Sequence, residues 1–151
     1  MINFKLRSLE SEMEGLNFEF APPPFKNTHW NATSKYLAES AFSFIESIIY
    51  YNVPNYQNFG HWGATQVTQQ QWLLIKPQLF TLKQKVIKAQ NFTELRDDLF
   101  DFAFIFDKTW QKEMSKNFLK YKLSFSQMIS DLIIWIDENM QKYSSFYILG
   151  V

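Results

Sequence analysis

The residues of this 151-residue chain most able to do chemistry are two histidines, His29 and His61, and two groups of acids. A histidine titrates near neutrality and can serve as a general base or a metal ligand. Neither one has a second histidine or a carboxylate three or four residues away, the spacing that sets two ligands on one helix face. Asp97 and Asp101 do stand at i and i+4, with Glu94 and Asp98 beside them. Paired carboxylates can hold a divalent ion or do acid–base work. They also lie at the start of a helical pattern that ends in Lys108, Lys112, Lys116, Lys120 and Lys122, so complementing the helix dipole accounts for them without a ligand. The chain has no Cys, which excludes thiol catalysis and the common zinc fingers. It has four Gly, no phosphate-cradling glycine loop and no G-x-S-x-G elbow. No cofactor and no metal is expected, and the chain reads as a non-enzyme.

The elements that must position these residues follow from periodicity. Residues 2–9 alternate apolar and polar, as does Leu16–Phe20, which predicts an antiparallel hairpin with Ile2, Phe4, Leu6, Leu16, Phe18 and Phe20 on one face. Pro22, Pro23 and Pro24 end the ladder, because proline has no N–H to donate. A first helix is predicted from Thr33 or Ser34 to Pro54 on the spacing of Tyr36, Leu37, Ala41, Phe44, Ile45, Ile48 and Ile49. Residues 52–65 have no period and form a loop. A second helix spans about Thr68 to Gln90, with a kink or break expected at Pro77 and Asn91 in the left-handed terminating position. A third helix starts at a Thr93 cap and holds its stripe to Tyr121. A fourth starts at Ser124 or Ser126 and ends near Tyr143, and residues 146–151 form a terminal strand. The expected class is α+β and predominantly helical: about four amphipathic helices packed with a small antiparallel sheet, in a single domain over 1–151.

Composition narrows the function. The 15 basic and 15 acidic residues cancel, which argues against nucleic acid as the main partner. The charges are nevertheless segregated. Residues 93–107 carry a net of −4, residues 108–122 a net of +4, and residues 76–88 four lysines with no acid. Patches of this kind steer charged protein partners. The absence of Cys and of a signal-like N-terminus points to the cytoplasm, and no apolar run is long enough to span a bilayer. Aromatic residues make up 19% of the chain, and six rings crowd Tyr50–Trp62 if His61 is counted. Tyr and Trp on loops are favoured interface anchors, which makes Tyr56, Phe59, His61 and Trp62 candidate partner-binding residues, with Tyr56 expected to be the most exposed.

The acidic stretch Glu10-Ser-Glu-Met-Glu14, the loop Phe59-Gly-His-Trp-Gly63 followed by Thr65–Trp72, and the single-domain layout together resemble the immunity proteins of bacterial toxin–immunity pairs, including those of contact-dependent growth inhibition. That resemblance, one of general character with no diagnostic motif, implies a toxin domain as partner and inhibition by occlusion of its active site. Glu10, Glu12, Glu14, Asp97, Asp98 and Asp101 would then meet a basic substrate groove. The alternatives are a small enzyme using His61 with a nearby carboxylate, and an adaptor that self-associates through the heptad-like stripe Trp72–Ala89. A fourth reading is nucleic-acid binding through the lysines of 108–122.

Overall fold

Alternation along Leu16–Phe20 produces a strand, as expected. The structure, a computed structural model that describes residues 1–10, 13–26, 28–56, 63–95 and 108–150, places β1 at Asn17–Ala21. β2 (Lys35–Ala38) runs antiparallel to it, with Asn17 opposite Ala38 and Phe20 opposite Lys35. β3 (Ala64–Thr68) and β4 (Ser145–Leu149) complete an antiparallel sheet in the order β2-β1-β4-β3. Glu19 faces Leu149 across β1 and β4, and Thr68 faces Ser145 across β3 and β4. The fold is therefore α+β, with the small antiparallel sheet expected, and the terminal strand is a central member of it.

Two of the four strands, β2 and β3, depart from expectation, β3 taking residues expected at the end of the 52–65 loop and the start of the second helix, and one expected strand is absent. Residues 2–9 form no strand: a single bridge, Arg7 to Tyr36, pins them to the outer edge of β2. Their alternation is still physical, because Ile2 and Phe4 are buried while Asn3 and Lys5 are exposed. Period two reports extended backbone lying on a core, and a ladder is only one way to lie there. β2 takes the place expected for the first helix. Tyr36 and Leu37 are both fully buried, one on each face of the sheet, so pairing with β1 outweighs a helical spacing that the same residues also satisfy. The helix that follows is short and broken, α1 at Glu39–Phe42 and α2 at Glu46–Asn52, and it stops ahead of Pro54 as expected.

α3 (Gln69–Lys88) begins at a capping box: the Thr68 hydroxyl accepts from Gln71 N–H at 3.2 Å, and the Gln71 side chain accepts from Thr68 N–H at 2.9 Å. The helix runs unbroken through Pro77. The missing N–H would have met the carbonyl of Leu73, which lies on the exposed side where water replaces it. Asn91 is not the left-handed terminator. Its side chain accepts from Glu94 N–H at 3.3 Å, while the Glu94 carboxylate accepts from Gln90 N–H at 2.7 Å, so Asn91 and not Thr93 caps the next turn.

α4 (Lys108–Met140) is two helical segments meeting at a kink at Asn117, so the two helices expected from periodicity are present, with their boundary ahead of Ser124 and Ser126. Ser124 and Ser126 do not start a helix. They sit inside one, their hydroxyls donating back to the carbonyls of Tyr121 (3.0 Å) and Leu123 (2.9 Å). Serine can cap a helix or bond back within it, and its type alone does not say which. The irregular residue is Asn117 (φ −123°, ψ 26°). Between α3, α4 and the sheet lies one apolar cluster rich in rings: Trp72 stacks on Phe146 at 4.5 Å, Trp135 meets Phe146 edge-on at 5.0 Å, and Phe18 stacks on Phe42 at 3.8 Å. Lys76 and Asp137 form an ion pair between α3 and α4.

Candidate functional site

Of the sequence candidates, Glu10, Glu14 and Tyr56 fall among the described residues. Glu10 and Glu14 are exposed. Glu12, Phe59, His61, Trp62, Asp97, Asp98 and Asp101 lie outside the described residues.

Tyr56 is a correction: expected at the surface, it is 1% exposed. Its ring tilts against Phe42 at 6.3 Å, and its hydroxyl donates to Glu46 Oε1 at 2.5 Å. Glu46 is itself 1% exposed, at the start of α2. Burial, then the Glu46 charge, push the Tyr56 hydroxyl far above its ordinary pKa, so it stays a neutral donor. Tyr56 therefore fastens the root of the ring-rich loop to the core and offers nothing to a partner. One signal pointed that way. Glu46 is a lone acid in the apolar run Phe42–Ile49, and a buried acid requires a donor nearby.

A second buried acid shapes the loop before β2. Glu19 on β1 is fully buried, on the face opposite Phe18 and Phe20. It accepts from Trp30 N–H (2.8 Å), Asn31 N–H (3.0 Å) and the Asn31 side-chain amide (2.7 Å). Burial raises its pKa, but these bonds together with the neighbouring Ser34 hydroxyl outweigh that and hold it below the usual value of 4.5. Ser34 Oγ is close to the carboxylate yet outside hydrogen-bonding geometry. Trp30 adopts φ 67°, a left-handed conformation costing about 1–2 kcal/mol for a residue with a Cβ, which two successive N–H groups converging on Glu19 offset. The result holds Trp30 40% exposed, stacked on Tyr36 at 5.5 Å, with exposed His29 beside it. No pattern in the sequence marks Trp30 as a site residue. The Glu19–Trp30 link spans eleven residues with no periodic pattern to reveal it.

Among the described candidates, Glu14 lines a cleft. The turn ahead of β1 and the start of α1 meet where Glu39 N–H donates to Leu16 O at 2.9 Å. Around them opens a cleft of about 410 Å³ lined by Arg7, Glu14, Leu16, Glu39, Ser40 and Trp110, among others. Gly15, at φ 72°, makes the turn that sets Glu14 at the rim. Arg7 is held by Asn17 Oδ1, which fixes its guanidinium at the base. The lining carries both signs, the Glu14 and Glu39 carboxylates against the Arg7 guanidinium and Met1, with the Trp110 indole beside them, so it suits a side chain that pairs with a carboxylate while lying on a ring.

The other charged and apolar surfaces also differ from expectation. The stripe Trp72, Ile75, Leu79, Leu82, Val86 and Ala89 is buried, between 0 and 5% exposed, and faces the core. It is not an open self-association seam. Of the lysines on α4, Lys122 donates to Ala89 O at 2.7 Å, and Lys120 lies 5.8 Å from the Tyr121 ring centroid. No group of three or more His, Asp or Glu able to hold a metal occurs among the described residues. Among them, too, no helix is long and apolar enough to cross a membrane. Comparison with protein families, with curated proteins and with solved structures finds no match to this chain.

Proposed function

We propose that this chain is a non-catalytic, protein-binding domain that neutralises a cognate toxin domain in the cytoplasm by covering its active site. The observation that carries the reading is the cleft of Glu14, Glu39 and Trp110 over the guanidinium of Arg7. A toxin groove that binds an anionic substrate presents Lys or Arg, and one such side chain inserted here would pair with a carboxylate that Arg7 does not already balance and be desolvated against an indole. Exposed Glu10, on the same segment as Arg7, adds a further carboxylate that can guide encounter. Trp30, held by Glu19 in one conformation, offers a second rigid anchor at low entropic cost.

The test is purification of the tagged chain from its host, followed by co-expression of whatever co-elutes in stoichiometric amount. A polypeptide that is toxic alone and harmless beside this chain supports the reading. Glu14→Lys with Glu39→Lys should then weaken the complex at least about tenfold, a loss of about 1.4 kcal/mol. A partner that is not toxic, or full protection by the charge-reversed variant, overturns it.

A further inference from the structure

α3 carries two apolar rows, and only one is used by the fold. On the side away from the core, Leu73, Phe80 and Ile87 follow one another at seven-residue spacing and are 55%, 50% and 50% exposed. Two helical turns separate each pair, so the three side chains stand in line about 10 Å apart. Pro77 and Gln84 fall between them, giving the alternating steps of four and three by which one helix packs along another. At 100° per residue, Lys76 and Lys83 flank one side of this row and Lys88 the other. No acid occurs anywhere in Gln69–Lys88. Lys76 is engaged with Asp137, and the basic character continues at the end of α3, where Lys122 caps the carbonyl of Ala89.

We propose that this outer face of α3 docks an amphipathic helix of another protein, one whose apolar ridge is flanked by Glu or Asp. Charge selects that occupant. A second copy of α3 laid along the first would set lysines against lysines, the wrong sign for the positions that choose helix partners. A lipid surface calls for a broad apolar face, whereas this row is widened only by exposed Leu74, is interrupted by exposed Gln84 and is bordered by exposed Gln70 and Thr81. The inference goes beyond the inhibitor reading and does not depend on the cleft at Glu14 and Glu39, which lies on other elements.

The experiment titrates the intact chain into two labelled synthetic helices followed by fluorescence anisotropy. Both carry the same leucine–isoleucine ridge in heptads, one with glutamate flanks and one with lysine flanks. The expected result is binding of the glutamate-flanked peptide, at least about tenfold tighter than the lysine-flanked one and weaker as salt rises. Phe80→Ser and Leu73→Ser should each weaken it at least about tenfold while leaving the urea midpoint in place, since both side chains are half exposed in the native chain. Lys83→Glu with Lys88→Glu should reverse the peptide preference. No binding of either peptide at millimolar concentration, or equal binding of both, overturns the proposal. Sedimentation showing a dimer that Phe80→Ser dissolves would assign the face to a second copy instead. Phe80-dependent binding to phosphatidylglycerol vesicles without peptide binding would assign it to lipid. Each of these also overturns the proposal. Protection against a toxin by Phe80→Ser would leave the inhibitor reading standing throughout.

Discussion

Glu19 and Glu46 show how much two buried acids decide. Each is fully or almost fully removed from water, which is affordable only with donors in place. Glu19 has three N–H donors from a loop eleven and twelve residues away, and removing the carboxylate strands all of them. Glu19→Ala should lower stability by about 3 kcal/mol in urea denaturation and release Trp30, read as a red shift of its fluorescence. The pH dependence has a definite sign. The folded-state pKa of Glu19 lies below 4.5, so its contribution is complete above that value and is lost as pH falls through the folded pKa. The stability gap between the native chain and Glu19→Gln should therefore be constant at neutral pH and narrow in acid; a gap that widens there would contradict the assignment. At Tyr56 the hydroxyl satisfies Glu46, and Tyr56→Phe should cost about 1–3 kcal/mol, far more than loss of a hydroxyl from an exposed loop residue.

Helix α3 is the element on which sequence rules succeed and fail most clearly. The Thr68 and Gln71 capping box was legible, since Ser or Thr followed three residues later by Gln or Glu is a local signal needing nothing from the fold. Thr68→Ala should lower stability by about 1 kcal/mol. Pro77 gives the opposite lesson. A proline inside a helix predicts a kink, yet the helix continues, because the side it disrupts faces water and the rest of the helix is held by packing against α4. Pro77→Ala should therefore stabilise the chain by about 1–3 kcal/mol with no change of fold, measured as a higher urea midpoint and unchanged circular dichroism. The second row on α3 was also present in the sequence as Leu73, Phe80 and Ile87, masked by the stronger stripe that became the core.

At the scale of the whole molecule, the sheet joins the ends of the chain. β4 lies between β1 and β3, and α3 and α4 close over it with Trp72, Trp135 and Phe146 at the centre. Two rows on one helix then have opposite fates under substitution. Trp72→Ala should cost about 3–5 kcal/mol, whereas Phe80→Ser should stay within about 0.5 kcal/mol, and comparable losses at both would mean that α3 is not seated as described. The charge layout works at the same scale. The mixed-charge cleft built from the turn before β1 and the start of α1 lies on other elements than the basic, apolar face of α3, so the two proposals can be tested separately.

By itself the sequence determined the class, the helical face of α3 and much of α4, the strands at 17–21 and 145–149, and the want of any local catalytic motif. These rest on periodicity and on residue type, which act within a few residues. Only the tertiary structure decided that Lys35–Ala38 is a strand, that residues 2–9 are not, and that Ser124 and Ser126 lie within a helix. It alone decided that Tyr56 is buried and that Glu14 shares a cleft with Glu39 and Trp110. The reason is common to all of them. Each is settled by which distant segment supplies a hydrogen bond or an apolar surface, and residue type is compatible with more than one answer until that partner is in place.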